Sequence, residues 1–562
     1  MDYRKLLADI VILQDVDSSE IEPLIVRPKD PSMGDWCLPC FKFAGKFRKS
    51  PAELAKDVVS RIGAYNFLEK AEAVGPYVNF TLDKKTVARE VLDRTLGEGG
   101  NYGGSEEGAG KTVCIDYSSV NIAKPFHMGH MLNTSIGAAL YRIYGALGYN
   151  VVGINHLGDW GTQFGKLIVA YKKWGDREDI ESKGVRGLLD IYVRFHSEAE
   201  KDPSLDDEAR AWFKKIEDGD SEATALFLWF KEITLKEVGK VYDRLGVKFD
   251  SYAGESFYND KMKPVLEELE RDGLLEESDG AKIVRFENDK YPPCLLVRSD
   301  GATLYATRDL AAAIYRKNTY DFYKCLYVVA YQQNLHFMQL FEVLRMMKKP
   351  WADDMVHVAH GMVSLEDGAL STRSGHVVFL EDVLDTAVAK ALEIIDRKSP
   401  DLANKRETAE AVGVGAVIFG MLYNGRIKDV TFSYDKVLNF DGETGPYVQY
   451  TYARCKSLID KCPREGESED LSGIADAEGH ALVSLIGDYP DAVKLAAEKY
   501  EPSIVARHVM DVAQAFNKFY LGHNIAGAEP AVKNARLSLV AATMTVIENG
   551  LRLLGIRTPE KM

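Results

Sequence analysis

The chain has 562 residues, 70 Lys and Arg against 85 Asp and Glu, a formal net charge of −15 and a pI of about 5.4. That length calls for several domains with more than one buried core, and the acidic balance argues against a protein that coats nucleic acid indiscriminately, although a local basic face for one RNA partner is compatible with it. No apolar run approaches the ~20 residues of a membrane span, the start carries acidic residues, and seven scattered Cys read as reduced thiols, so a cytoplasmic protein without a membrane segment is expected.

Residues 1 to about 96 read as a small α+β domain. Leu6, Leu7, Ile10 and Leu13 give a first helix an apolar face, and Ser50-Pro51-Ala52-Glu53 opens another with an N-cap, a first-turn Pro and a capping-box Glu. Val74 to Leu82 is a turn followed by an alternating strand. Cys37-x-x-Cys40 would suit zinc, but a structural zinc needs four ligands and no second pair with matching spacing is near, so no metal site is expected. Residues 97–110 are glycine-rich, acidic and nearly free of apolar side chains, the composition of a linker. Gly104 to Thr112 imitates a phosphate-binding P-loop, yet five residues separate the key glycines where four are required, and the strand follows the loop instead of preceding it.

From 111 to about 375 the pattern is α/β, interrupted over about 171–290 by a charged helical insertion in which Leu226, Phe230, Ile233, Val238 and Val241 recur at near-helical spacing. Thr112 to Tyr117 reads as a buried strand, a polar turn containing Pro125 follows, and from His127 apolar residues return at Leu132, Ile136, Leu140, Ile143 and Leu147. A second strand over 149–154 makes the unit βαβ, with its loop at the carboxyl end of the first strand, where open α/β sheets bind ligands. There the helix amides and dipole favour phosphate, His127 and His130 project to one side as further donors, and Gly129 leaves no Cβ against a flat base or ribose. Asn155 to Gly165 supplies a second glycine-rich turn. Beyond the insertion a hairpin is expected, 294–297 and 302–306 about Asp300-Gly301, then helix 309–316, strand 325–330, helix 336–347 and strand 356–360, a second βαβ half. Gly361 to Gly375 is a Gly- and Ser-rich loop with one cation, Arg373. From 376 to 562 amphipathic helices follow one another, over 381–398, 410–423, 445–461, 480–499, 502–520 and 531–554.

Asn121-Ile-Ala-Lys-Pro-Phe-His-Met-Gly-His130 with Leu157-Gly-Asp-Trp-Gly-Thr-Gln-Phe-Gly165 resembles the ATP signature of class I aminoacyl-tRNA synthetases, and specifically that of the arginyl-tRNA synthetase family. Gly361 to Gly375 resembles the KMSKS loop of that class in its Met-Ser-Thr-Arg form, matched by Leu370-Ser371-Thr372-Arg373. This chain departs from the pattern at Ala369 and Thr372, where the two lysines belong, so the ammonium that would neutralise pyrophosphate charge is missing. Lys124 is the favoured replacement and Arg373 a partial one. Val74 to Leu82 with Cys40-Phe-Lys-Phe-Ala44 looks like the family's N-terminal appendage, which contacts the D-loop corner of tRNA through positions matching Asn79 and Phe80. Gly425 to Phe432, Phe440 to Tyr450 and Leu554 to Met562 look like its helix-bundle anticodon-binding domain, with Tyr447 at the RNA surface.

The resemblance covers the whole chain and implies a Rossmann-type catalytic domain over 111–375, an α+β domain over 1–96, a linker over 97–110 and a helical anticodon domain over 376–562. It implies ligation of L-arginine to the 3′ end of tRNA(Arg) through an arginyl-adenylate by a monomer whose amino-acid activation needs bound tRNA. ATP would bring Mg²⁺ on its phosphates, without an all-protein metal site. By the same resemblance catalysis falls to His127, His130, Lys124 and Arg373, and Pro125, Phe126, Gly129, Gly158, Asp159, His336, Met362, Val363, Ser371 and Thr372 join the histidines around ATP. Arginine is expected with Glu255 and Asp309 on its guanidinium side, Tyr305 and Gln333 lining the pocket, and Ser119, Asn121 and His130 towards its backbone. Two other classes compete: a nucleotidylyltransferase shares His-x-Gly-His but needs no long helical C-terminal region, and a catalytically silent RNA-binding relative would not need His127, Gly129 and His130 intact.

Overall fold

The boundary between the two units of the chain falls between Tyr102 and Gly103, inside the segment expected as a linker. The computed structural model describes residues 3–366 and 378–562. The first unit holds Met1–Tyr102, Cys455–Asp488 and Asp511–Val546, the second Gly103–Arg454, Tyr489–Met510 and Ile547–Met562, so the region 1–96 shares a unit with part of the helical region. The connecting segment is held by hydrogen bonds: Tyr102 Oη donates to Ile486 O at 2.9 Å in the first unit. In the second, the N–H groups of Ser105 and Gly108 donate to Ala146 O and Leu147 O at 3.1 and 2.9 Å.

In the first unit Ser50 caps helix Pro51–Arg61 and Glu53 reaches back to it, closing the expected capping box. Strands β1 Trp36–Pro39, β2 Leu68–Val74 and β3 Tyr77–Leu82 pair antiparallel in the order β1-β3-β2, and Gly75 turns β2 into β3 at φ +55°. The turn expected at Val74 is therefore the tip of a hairpin. Because β3 is the central strand, Val78, Asn79 and Phe80 are all buried, Phe80 completely. This corrects the expectation that Asn79 and Phe80 face RNA: Phe80 is core and Asn79 is 6% exposed.

In the second unit, β4 Thr112–Asp116, β5 Asn150–Ile154, β9 Lys324–Ala330 and β10 Met355–His360 form a parallel sheet in the order β10-β9-β4-β5. The chain winds outward from β4 to β5, then returns to the other side of β4 for β9 and β10. Loops leaving the carboxyl ends of β4 and β9 thus diverge and open a crevice, the switch point at which such sheets take ligands. The expected hairpin forms only in part. Its first arm, β8 Cys294–Val297, pairs with β7 Ala281–Val284, itself paired with β6 Glu276–Ser278, in a separate antiparallel sheet. Its second arm is reduced to a bridge between Val297 and Thr303, because helix Tyr305–Tyr320 already begins there, anchored by Thr307 Oγ1 donating to Leu296 O at 2.7 Å. After β10, the short β11 Val363–Leu365 pairs in parallel with β12 Val430–Phe432.

The helical region runs through Leu380–Lys398, Lys405–Leu422, Gly445–Lys461, Ala477–Lys499, Ser503–Gly522 and Pro530–Leu554. The last is the one helix among the described residues long and apolar enough to cross a membrane, but 72% of its apolar window is buried inside the protein. Sequence reading had not singled out that run.

The helix that follows β4, Gly129–Ala146, lies so close to the sheet that a Cβ on Gly137 would stand 2.2 Å from Tyr117 Cγ. Tyr117 cannot yield, since its hydroxyl donates to Lys248 O at 2.9 Å and its ring rests against Phe249 at 4.6 Å. Gly137→Ala should therefore lower stability by about 1–3 kcal/mol through overpacking, against the modest gain in helix propensity. An unchanged or raised denaturant midpoint would contradict that close approach.

Candidate functional site

The loop between β4 and helix Gly129–Ala146 carries left-handed backbone at three residues other than glycine: Ser118 (φ 67°), Ser119 (φ 48°) and Ala123 (φ 57°). Such conformations cost roughly 1–3 kcal/mol each and persist only where neighbours over-determine them. Here they do. Thr134 Oγ1 donates to Ser118 Oγ at 2.9 Å and Asn133 Nδ2 to Ser118 O at 3.3 Å, both from the helix. Between the loops after β4 and β5, Ile122 N–H donates to Gly158 O at 3.1 Å and Gly158 N–H to Val120 O at 2.9 Å, so the two signature turns are zipped together. A Cβ on Gly158 would meet Asn121 Oδ1 at 2.5 Å, which is why a glycine sits there.

At the start of the helix the two imidazoles lie 4.1 Å apart, centroid to centroid. His127 N–H donates to His130 Nδ1 at 3.3 Å, and Gly129 N–H donates to His127 Nδ1 at 3.0 Å. A backbone amide can only donate, so both Nδ1 atoms are unprotonated and each ring keeps its proton on Nε2. Burial depresses both, and in His130 burial, His127 and nearby Lys124 bring the pKa down to about 3. The pair is neutral at physiological pH, and each ring keeps its Nε2–H as a donor. Among the described residues no side chain caps this helix. Lys124 is exposed, whereas Pro125 and Phe126 are buried and shape the loop. The Phe126 ring lies 5.3 Å from that of His130 and its carbonyl accepts from Leu380 N–H at 2.9 Å.

Opposite lies a cluster of charge at the carboxyl ends of the strands. Asp116, the last residue of β4, accepts from Arg316 Nη2 at 2.7 Å on one oxygen and from Ser119 Oγ at 2.7 Å on the other. Arg316 Nη2 also lies 3.4 Å from His156 Nδ1, whose Nε2 is 3.9 Å from Asp309 Oδ1. Asp309 Oδ2 pairs with His336 Nε2 at 2.7 Å. Burial opposes ionisation of Asp309, but the His336 hydrogen bond and the surrounding cationic groups prevail and hold it below the usual carboxylate range. Glu255 goes the other way. Burial, with Asp309 and Asp159 nearby, pushes it up to about 7, even though Arg308 Nη1 lies 3.5 Å from its Oε2 and Lys124 also pulls downward. Tyr305 is 69% exposed at the start of its helix, and Gln333 is exposed where β9 ends.

Several expectations change. Asp159 has no exposed surface, and its carboxylate is taken up by Lys231 Nζ (2.7 Å), Ser256 N–H (2.8 Å) and Ser256 Oγ (2.8 Å), so it holds the Glu255 loop and is not free for ATP. His336, expected at ATP, is committed to Asp309. Val363 is buried in β11, while Met362 is 38% exposed with its amide donating to Asp429 Oδ1 at 2.7 Å. Tyr447 is half-buried on helix Gly445–Lys461. Ala369, Ser371, Thr372 and Arg373 lie outside the described residues. Sequence reading missed Arg308, Arg316, His156 and the polar residues of helix Ser221–Leu245. A signal existed for the arginines: Leu304, Arg308, Ala312 and Arg316 are four apart, placing two cations on a buried helix face.

Residues 92–434 match the family described as tRNA synthetases class I (R), catalytic domain, residues 448–562 the DALR anticodon binding domain, and residues 2–82 the arginyl tRNA synthetase N terminal domain. Curated relatives aligning over 100% of both chains include the arginine–tRNA ligase of Halothermothrix orenii, 52% identical over 565 residues, and that of Clostridium botulinum (strain Alaska E43), 50% identical over 567. Among solved structures, the arginyl-tRNA synthetase of Thermus thermophilus superposes with a TM-score of 0.82 at 26% identity, covering 96% of each chain. That of Plasmodium falciparum gives a TM-score of 0.81 at 22% identity, which speaks for the fold alone.

The electrostatics of Glu255 are measurable directly. Its carboxyl should titrate with a midpoint near pH 7 in carbon-13 NMR, and Arg308→Gln should move that midpoint higher by removing the nearest opposing charge. Since the folded-state pKa lies above the ordinary value, the group contributes stability below pH 4.5 that is lost as pH rises through about 7. A midpoint near 4.5 would mean the carboxyl is solvated and not enclosed as described.

Proposed function

The chain belongs to the class I arginyl-tRNA synthetases, and we propose that its zipped signature loops and acidic cluster carry out that family's reaction, the ATP-dependent ligation of L-arginine to tRNA(Arg). The observation that carries this reading is that loops at the carboxyl ends of one parallel sheet supply two neutral imidazole donors and an uncapped helix start in one part of the site, and the carboxyls of Glu255 and Asp309 in another. One side suits phosphate; the other suits a guanidinium.

A carboxylate oxygen of arginine attacks the α-phosphorus of ATP, the bond to the β-phosphate oxygen breaks, and pyrophosphate leaves. A hydroxyl of the terminal adenosine of tRNA then attacks the arginyl carbonyl carbon and AMP leaves. His127 and His130 donate Nε2–H to phosphate oxygens on which charge grows, without adding positive charge to the ground state. Lys124 is assigned to the departing pyrophosphate, in the role left by Ala369. Glu255 and Asp309 take the guanidinium, Tyr305 and Gln333 flank it, and Ser119 and Asn121 face the amino-acid backbone. Asp116 and Asp159 are both engaged by protein partners, so Mg²⁺ is assigned to the ATP phosphates, where it would add charge neutralisation. A monomer is assigned with the family reading, and seven buried cysteines outside any disulfide support a reducing, cytoplasmic setting. The match over 448–562 supports assigning the anticodon to that region, and Tyr447, the residue just before it, is assigned as a contact by resemblance alone.

ATP–pyrophosphate exchange with each amino acid in turn, with and without bulk tRNA, tests the reading. Exchange should depend on arginine alone and require tRNA; a nucleotidylyltransferase would not show that arginine dependence, and a silent RNA-binding relative would show no exchange. His127→Ala or His130→Ala should lower exchange by ~10²–10³-fold with tRNA affinity little changed, the loss seen when one preorganised donor is removed. Normal exchange in both would remove them from the ATP site.

Two more substitutions separate the halves of the site. Lys124→Ala should reduce kcat for activation more than it raises the KM for ATP, and a lysine restored at position 369 should recover part of the loss, because the charge it meets develops at the leaving group. A silent Lys124→Ala would end that assignment. Glu255→Gln should weaken arginine use by roughly thirty-fold to several thousand-fold, the range for removing one member of a buried charge pair. Unchanged KM values for both arginine and ATP would leave Asp309 as the guanidinium partner.

A further inference from the structure

Helix Ser221–Leu245 of the insertion buries apolar residues such as Phe230, Val238 and Val241, but three polar side chains on the same side reach into the site. Lys231, Thr234 and Tyr242 are three and eight residues apart, which at 100° per residue places them within roughly 80° of one another along about 16 Å of helix. Each ends on a loop of the site. Lys231 Nζ donates to Asp159 Oδ2 at 2.7 Å, and Asp159 accepts from both the amide and the hydroxyl of Ser256, the neighbour of Glu255. Glu255 N–H in turn donates to Leu157 O at 2.9 Å. At Gly254 a Cβ would stand 2.6 Å from Asp159 Oδ1 and from Leu157 O, so this turn is closed down upon the carboxylate.

The other two residues hold the opposite loop at both ends. Thr234 Oγ1 accepts from Ala123 N–H at 3.0 Å, one residue before Lys124, where the backbone is left-handed. Tyr242 Oη lies 2.7 Å from Ser118 Oγ and accepts from Asn155 Nδ2 at 3.0 Å, so one phenol, 3% exposed, bridges the turns that follow β4 and β5. Its ring also meets that of Phe126 at 5.5 Å, and Phe126 borders His130.

We propose that this helix is the element that sets both halves of the site: Lys231, through Asp159 and Ser256, positions Glu255 for the amino acid, while Thr234 and Tyr242 position the Ser118–His130 loop for ATP. None of the three touches substrate on the proposed reading; they are positioning residues, and the inference rests on that reading. A rigid helix suits the task, because a displacement of even 1 Å in a reacting group can cost about 10²-fold in rate. It also accounts for the left-handed residues of the loop, whose strain needs anchors outside the loop itself.

The two ends should be separable by kinetics on the full chain with tRNA present. Ser256→Ala and Lys231→Met should raise the KM for arginine, about ten-fold or more for Lys231→Met, with the KM for ATP within about two-fold of the parent. Lys231→Arg, which restores the charge, should recover most of the loss. Thr234→Val and Tyr242→Phe should show the converse emphasis, raising the KM for ATP or lowering kcat for exchange more than they raise the arginine KM, which they reach only through Ser119 and Asn121 of the same loop. Thermal unfolding of each variant separates positioning from folding, since a purely structural role lowers the melting temperature without splitting the two KM values. Equal changes in both KM values, or lost stability with both unchanged, would overturn the inference. A parent protein without arginine-dependent exchange would overturn the functional reading first, and the inference with it.

Discussion

A guanidinium and a carboxylate removed almost wholly from water, Arg316 and Asp116, meet where β4 ends, and the placement of the acidic side of the site depends on them. Desolvating two such charges costs several kcal/mol each, and the attraction offsets this only while both partners stay in register; losing one partner costs about 3–5 kcal/mol. Arg316 is not fully satisfied even so, for among the described residues its Nε and Nη1 have no hydrogen-bond acceptor, and the guanidinium carbon lies 5.2 Å from the Tyr327 ring centre. The return is geometric. The pair fixes helix Tyr305–Tyr320 to the end of β4, and that helix carries Arg308 and Asp309 in its first two turns. Through His156 the same cation reaches the end of β5, so a displacement at Asp116 is felt at three chain segments of the site.

Charge at the site is arranged so that little of it is permanent. The two histidines are neutral, Glu255 is balanced near neutrality, and the fixed charges of the crevice are Lys124, Arg308, Arg316, Asp116 and Asp309. A neutral donor pair is chemically useful where ATP brings several negative charges, because N–H groups bind phosphate oxygens without adding a cation that must be desolvated beforehand. A histidine pair held cationic would repel itself across 4.1 Å and oppose Lys124 and Arg308 as well.

What the sequence disclosed follows the range of the interactions involved. The βαβ unit, the capping box at Ser50, the insertion and the helical region rest on periodicity and on contacts a few residues apart, and all can be read along the chain. Side-chain assignments fared worse where the deciding partner is distant. Tyr242 and Ser118 are 124 residues apart, Arg316 and Asp116 200 apart, and nothing local marks either pair. Asp159 looked like a ligand of ATP because it stands in a glycine-rich motif; Lys231 and Ser256, 72 and 97 residues on, show that it serves the loop of Glu255. Phe80, matched to an RNA-contacting position by resemblance, is core, and a strand's alternation does not say whether it lies at the edge or the centre of its sheet. The short arm 302–306 failed as a strand because its residues also fit the first turn of a helix, and the bond from Thr307 to Leu296 decided the matter.

The two carboxylates assigned to the guanidinium cannot contribute alike. With burial pushing its pKa up to about 7, Glu255 is far easier to protonate than an ordinary carboxyl even beside the Arg308 guanidinium, and a second cation would draw it towards the ionised form. Arginine binding should therefore release part of a proton, which weakens binding at low pH. Glu255 alone would also discriminate poorly against a neutral urea of the same shape, because its protonated form can donate to a urea oxygen. Asp309 has no such freedom. Held below the ordinary carboxylate range and already hydrogen-bonded to His336, it stays an anion throughout the physiological range, so a cationic ligand gains an attraction there that a neutral one does not. On the proposed reading Asp309 demands the charge of the substrate, while Glu255 adjusts to it, and two carboxylates facing two guanidiniums, one from the protein and one from the substrate, bring the pocket to electrical balance only when arginine is bound.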